Sequence, residues 1–189
     1  MKLKRKFTFF KKKNINNILF KSKSFYGGYV NKIDKTILPF IYGKRNNTLI
    51  INLKYTIICM KKIFNLVKLN ILKKKKLLII SNSLDSKFLI DDEFIKKNKS
   101  IIFLNKKWIN GYITNKKMNS FITKNQINLI FIYKISNIYF NKEISELKTP
   151  IISFIDTSHT LNNIDYPLII NINNIKSLYT LLYIFRKLF

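Results

Sequence analysis

The stretch Asp156-Thr157-Ser158-His159 sets an acid, two hydroxyls and the chain's one imidazole in a row. Such a set invites a hydrolase reading, with serine as nucleophile and histidine as base. A nucleophile elbow, however, needs glycine on both sides of its serine to permit the strained turn, and Ser158 stands between Thr157 and His159. The plainer expectation is that Asp156 and Thr157 satisfy loop backbone groups, with His159 facing the surface or RNA. Asp91, Asp92 and Glu93 have the look of a metal cluster. They fall where a helix is expected to begin, and carboxylates there complement the helix dipole. Cys59 and His159 are the only cysteine and histidine, too few for a zinc site or an internal disulfide. A phosphate cradle needs glycines after a strand. The loop Ser81-Asn82-Ser83-Leu84-Asp85 has none, and Gly27, Gly28, Gly43 and Gly111 all lie elsewhere. No catalytic residue, metal or cofactor is expected, and no small-molecule substrate.

What remains is positive charge mixed with turn residues and aromatics. Lys44-Arg45-Asn46-Asn47 follows Tyr42-Gly43, Lys106-Lys107-Trp108 precedes Asn110-Gly111-Tyr112, and Lys116-Lys117 follows Thr114-Asn115. Lys and Arg bind phosphates, Asn reaches base edges or sugar hydroxyls, and Trp or Tyr stacks on bases. Any one cluster reads equally well as a solvated loop. Three in one basic chain point to an RNA surface.

Elements must hold those loops in place. Short apolar runs at Leu49–Leu53, Leu77–Ile80, Ile101–Leu104, Leu129–Tyr133 and Ile151–Ile155 have the length of buried strands. They do not alternate cleanly, which suits a parallel sheet covered on both faces. Between the first two, Leu53, Ile57, Met60, Phe64, Val67 and Ile71 recur in steps of four and three, while Lys54, Lys61, Lys62, Asn65 and Lys68 lie off that face. Ile175, Leu178, Leu182, Phe185 and Phe189 repeat the pattern near the end, with Asn173 or Asn174 as cap. A weaker helical pattern covers 136–148. Strand and helix in alternation predict an α/β fold: a doubly wound, mainly parallel sheet flanked by helices, flavodoxin-like. No linker divides the chain, so residues 1–16 read as a basic tail and 17–189 as one domain. The tail reads either as a transit segment or as an RNA-contacting arm.

The charge agrees with an RNA partner. The chain carries 36 Lys and Arg against 9 Asp and Glu, a formal net charge of +27 over 189 residues. So large a surplus repels itself in a compact state and calls for a polyanion. Hydrophobic residues make up 47%, enough for a folded core. The absence of alanine and the wealth of Asn, Ile, Lys and Phe report a GC-poor genome, so part of the lysine excess is drift. No run of apolar residues is long enough to span a membrane.

Four blocks in order resemble the family of small ribosomal subunit protein two. Pro39-Phe40-Ile41-Tyr42-Gly43-Lys44-Arg45-Asn46-Asn47, running on through Ile50-Ile51-Asn52-Leu53 to Thr56, is similar to that family's signature. Asn105–Asn115, with Trp108, Gly111, Thr114 and Asn115, resembles its Arg-Trp-Leu-Gly-Gly-Met-Leu-Thr-Asn block. Thr149-Pro150-Ile151 through Asp156-Thr157, with Asp165 and Tyr166 beyond, resembles its Ile-Pro-Val stretch. Ser24–Gly28 stands where the family has His-Phe-Gly-His. The resemblance covers about residues 17 to 189. It implies a doubly wound domain and a non-enzymatic role in translation. It further implies contacts with small-subunit ribosomal RNA and neighbouring small-subunit proteins near the head–body junction. The RNA contacts it implies are Lys44, Arg45 and Asn46 in one loop, and Lys106, Lys107, Trp108, Gly111, Thr114 and Asn115 in another. For Trp108, stacking on RNA and packing in the core stay open alike.

The sequence also departs from the family. Only 12 residues separate Asn115 from Asn128, leaving no room for the family's helical hairpin, so no coiled-coil insertion is expected. Only Asn171 survives of the Pro-Gly-Asn-Asp-Asp motif before the last helix. The two family histidines become Phe25 and Gly28, and Ile33–Ile37 replaces Trp-Asn-Pro-Lys-Met. A mitochondrial ribosome is the expected home, with a relict plastid or a reduced bacterial symbiont as alternatives. A basic peripheral membrane protein and a flavodoxin-like enzyme are the competing functions. The first is weakened because burial against a sheet uses up the apolar stripes, the second because the glycines are missing.

Overall fold

The computed structural model describes residues 12–30, 33–81, 100–105, 111, 120, 124–133, 143 and 149–186. The chain forms two compact units. The first gathers Met1–Phe64, Ile155–Thr160 and Leu168–Phe189, the second Asn65–Phe154 and Leu161–Pro167.

The first unit opens with α1 (Lys12–Lys21), which buries Ile15 and Leu19. It ends at Lys23, whose φ of 55° closes the last turn while Ser24 N–H donates to Leu19 O. Three short strands follow: β1 (Tyr26–Tyr29), β2 (Ile41–Arg45) and β3 (Thr48–Ile51). A 3-10 helix (Lys35–Phe40), capped by the Asp34 carboxylate, leads into β2. The three strands make an antiparallel sheet in the order β1-β3-β2. Leu49 and Ile51 are buried while Thr48 and Ile50 between them are less so, the alternation of a sheet with one wet face. This corrects the expectation for Leu49–Leu53, which had looked like a member of the parallel sheet.

From Asn52 the chain enters α2 (Leu53–Leu72). The expected face is found: Ile57, Met60, Phe64 and Val67 are buried, and Lys54, Lys61, Lys62 and Asn65 are exposed. Thr56 Oγ1 donates to the Ile169 carbonyl at 3.0 Å. The unit closes with α3 (Ile175–Arg186), capped by Asn174, whose Oδ1 accepts from Lys176 N–H at 3.0 Å. Leu178, Leu182 and Phe185 are buried as expected, and Phe185 meets Phe64 edge to face at 5.4 Å. Ile175, expected on the apolar face, is 67% exposed, because it occupies the first turn beside the cap. A chain of buried hydroxyls ties α1 to α3. Ser177 Oγ donates to Ser24 Oγ at 2.8 Å, and Ser24 Oγ lies 2.6 Å from Ser22 Oγ.

The second unit is built on β4 (Lys76–Ser81), β5 (Ile101–Asn105), β6 (Ile127–Tyr133) and β7 (Ile151–Ile155), of which Ile155 belongs to the first unit. With β8 (Tyr166–Ile169) these strands form one sheet in the order β5-β4-β6-β7-β8. The β4–β5, β4–β6 and β6–β7 pairs are all parallel. Counted from β4 as one, the order is 2-1-3-4-5, that of flavodoxin-like doubly wound sheets. The expected fold class is therefore found. The core explains it: Leu77–Ile80, Leu129–Tyr133 and Ile151–Ile155 are buried without a break, as strands covered on both faces must be. Phe131 and Phe154 meet edge to face at 4.8 Å. Three strands were not among those expected from the sequence: β1, β2 and β8. Of these β8 holds Pro167, and proline is tolerated in an edge strand, which β8 is.

Candidate nucleic-acid interface

The strands β2 and β3 are joined by two residues only. Arg45 pairs in register with Thr48, and Asn46 and Asn47 between them have φ of 45° and 57°. Two consecutive left-handed residues make the turn whose twist matches that of the flanking strands, and asparagine tolerates this conformation better than most. The tip is held from both sides. Thr48 Oγ1 donates to Arg45 O at 2.6 Å, and Val30 N–H, just past β1, donates to Asn47 O at 3.0 Å. Lys44, Arg45, Asn46 and Asn47 are all exposed on this braced hairpin. Cation and amide donors are thereby presented without a floppy loop to order on binding.

Along the sequence the hairpin's flanks are positive or neutral, although Asp156 lines the cleft that Tyr29 and Thr48 also line. From Lys35 to Ser81 the sequence holds no acidic residue. The α2 helix has no acid in its first turn and puts the exposed Lys54 there, against the dipole's preference. Asn52 Oδ1 caps this end by accepting from Lys54 N–H at 3.1 Å. No acid between Lys35 and Ser81 in the sequence offsets Lys44, Arg45 or Lys54, which suits a polyanionic partner.

The sheet behind the hairpin is clamped by the segment once open to a hydrolase reading. Gly28 N–H donates to Thr157 Oγ1 at 2.7 Å. A Cβ on Gly27 would come within 2.7 Å of Thr157 Cγ2, so only glycine permits this approach. Asp156 turns its carboxylate inward, accepting from Thr157 N–H at 2.7 Å and from Asn173 Nδ2 at 2.7 Å. Burial pushes the Asp156 carboxyl above the ordinary carboxylate range, with the Thr157 hydrogen bonds and the nearby His159 opposing it. Asp156 and Thr157 thus satisfy loop and strand groups, as the plainer expectation had it. Ser158 is exposed, its Oγ 3.3 Å from His159 Nδ1. A cleft of about 470 Å³ beside Tyr29 is lined by Gly28, Thr48, Ser158, Asn171 and Asn174 among others.

Residues 19–130, over half the chain, match the model of a known family, ribosomal protein S2. The chain belongs to the ribosomal protein S2 family. The small ribosomal subunit protein uS2m of Marchantia polymorpha is 36% identical over 76 residues, covering 40% of this chain and 31% of that protein. The uS2 proteins of Ehrlichia chaffeensis and Ehrlichia canis are 27% and 28% identical over 90 residues, 48% of this chain and 31% and 30% of theirs. The matched stretch thus spans less than a third of each relative's length.

In this S2 chain the residues singled out in the sequence fare differently. Lys44, Arg45 and Asn46 stand together on the hairpin of the first unit. Of the second set, Gly111 belongs to the second unit. Its φ is 82°, a conformation that favours glycine, and its N–H donates to the Glu143 carboxylate. Lys106, Lys107, Trp108, Thr114 and Asn115 lie outside the described residues. So do Asp91, Asp92 and Glu93, nearly all of the 136–148 helical pattern, Phe189 and the first eleven residues. The α1 helix spans Lys12–Lys21, beginning before the boundary expected at residue 17. Among the described residues no group of acids, His and Cys is placed to hold a metal, and no helix is long and apolar enough to cross a membrane.

The sequence reading passed over Tyr29, and it treated Tyr42 only as a flank. They are 68% and 78% exposed, the two most exposed large hydrophobic side chains among the described residues. The usable signal was Asn46-Asn47 between two β-rich runs, which marks a hairpin and so puts its flanking residues on a sheet.

Proposed function

We propose that this S2 chain is a structural constituent of the small ribosomal subunit, binding its RNA and neighbouring subunit proteins near the head–body junction. The observation that carries the reading is the braced, acid-free hairpin with Lys44, Arg45 and Asn46 at its tip, lying inside the family match. The chain acts as a scaffold rather than a catalyst, since its one catalytic-looking segment is engaged in holding strands together. Residues 17–189 make up the ribosomal domain, and residues 1–16 a basic arm. The second RNA contact is formed by Lys106, Lys107, Trp108, Gly111, Thr114 and Asn115.

The ribosome in question is mitochondrial. The drifted composition supports this, as does the similarity to the uS2m protein of Marchantia polymorpha. The test is sedimentation of an organelle lysate on a sucrose gradient, tracing the chain by mass spectrometry. Movement with the small subunit after a moderate salt wash is expected. Recovery at the top of the gradient would refute the ribosomal reading, and enrichment with a non-mitochondrial fraction would refute the compartment.

A further inference from the structure

We propose that the antiparallel sheet of the first unit is a base-stacking platform, in which Tyr29 and Tyr42 take unpaired RNA bases while Lys44 and Arg45 hold adjacent phosphates. The proposal rests on the reading of the chain as an RNA-binding protein and names the kind of RNA it meets there: single-stranded, with bases turned out. Largely exposed tyrosine rings leave apolar surface in water, and these two are the most exposed of their kind among the described residues. Neither ring contacts another aromatic among the described residues, whereas Tyr26, on the same strand as Tyr29, leans on Phe25 with centroids 4.4 Å apart.

Register places them usefully. Tyr29 and Arg45 both pair with Thr48 from opposite sides, so they share a face two strand spacings apart, about 10 Å. Tyr42 lies on the edge strand β2 at the bulge between Ile41 and Gly43, where the alternation of faces is interrupted, and Lys44 pairs with buried Leu49, on the other face from Arg45, so both reach the platform round that edge. Aromatic rings interleaved with cations at this spacing are what single strands use, rings for bases and cations for the backbone. The occupant follows from charge. A sheet with no acid from Lys35 to Ser81 suits an anionic strand. A duplex would meet the cations but hides its base faces, leaving both tyrosines idle. The cleft beside Tyr29, lined by Thr48, Ser158, Asn171 and Asn174 and also by Asp156, gives its base a recess with both hydrogen-bond donors and acceptors. This recess makes Tyr29 the stronger seat.

The experiment measures binding of the full chain to a short oligouridylate and to an RNA duplex of equal length, across a salt series. Tyr29→Leu and Tyr42→Leu should weaken single-strand binding by roughly 5- to 100-fold each, as loss of a stacked base does, with Tyr29→Leu the larger. Duplex binding should change less than about 2-fold, and the salt slope should hold. Tyr29→Phe should restore most of the loss. Arg45→Gln should weaken both ligands and reduce the salt slope by about one. Tyrosine variants that bind the single strand as the wild type does, while Arg45→Gln weakens it, would overturn the platform and leave the RNA-binding reading standing. A wild-type chain that binds neither ligand would overturn both.

Discussion

The hairpin sheet and the parallel sheet share Ile, Leu, Tyr and Lys, yet they do opposite things with them. In β4, β6 and β7 nearly every side chain is buried, and lysine is confined to the strand start at Lys76. In β3 only Leu49 and Ile51 go inward, and no side chain of β2 is buried, with Tyr42, Lys44 and Arg45 all reaching water. The difference is one of pairing. A parallel strand needs a crossover on each side and is covered by it, whereas an antiparallel hairpin returns at once and leaves a face open. The lesson is that the same composition yields a core or a contact surface according to how the chain returns.

That contrast can be broken most forcefully from the core side. Phe131→Ala in β6 should cost about 3–5 kcal/mol of stability, read as a lower midpoint in urea. RNA affinity of the folded fraction should stay as in the wild type. An RNA defect at full foldedness would mean the two regions are not separable. Next in size is Gly27→Ala, whose new Cβ meets buried Thr157. A loss of about 1–3 kcal/mol is expected from this overpacking. Gly43→Ala, with nothing within 4 Å of its Cβ, is the matched control and should cost well under that.

Arg45→Glu reverses the picture. Its side chain is exposed, so stability should move by no more than about 0.5 kcal/mol. Incorporation into the small subunit should nonetheless fall several-fold by quantitative mass spectrometry of gradient fractions, and unchanged incorporation would remove Arg45 from the interface. The smallest effect concerns Asp156. Burial raises its folded-state pKa, so the folded chain holds that proton more firmly than the unfolded chain does. Its contribution to stability is present at acid pH and is lost as pH rises from the ordinary carboxylate value through the raised one. Thermal melts of the wild type and of Asp156→Asn across that window should therefore diverge in the variant's favour as pH rises. A constant difference would show that Asp156 keeps an ordinary pKa.

The sequence was informative where one period ruled a segment. The stripe from Ile57 to Val67 and the unbroken apolar runs of β4, β6 and β7 identify themselves, since burial leaves little choice of residue. It was less informative where local and long-range effects compete. Tyr26-Gly27-Gly28-Tyr29, with its two glycines, was not among the strands expected. It is a strand because Thr157, 129 residues on in the case of the Gly28 bond, fills the space a side chain would need. Leu49–Ile51 was seen as a strand but placed in the wrong sheet, because an apolar run of that length does not say which way its neighbours run. At the candidate site, Lys44, Arg45 and Asn46 were visible as a cationic turn. The exposure of Tyr29 and Tyr42 was not, since a tyrosine in a β-rich run is as often inside as out.

The serine chain from Ser22 through Ser24 to Ser177 has a consequence for the order of events during synthesis. Ser24 and Ser177 are 153 positions apart, and both are fully buried. A nascent chain can form the hairpin as soon as Ile51, the last residue of β3, has left the exit tunnel. The hydroxyl link behind it must wait until Ser177 has followed, nearly the whole sequence later. Until then α1 lacks the α3 partner for its serines, and a cationic hairpin is on display amid abundant RNA. Secure seating of this protein therefore waits on the emergence of Ser177, and early capture by nucleic acid is the hazard that the interval creates.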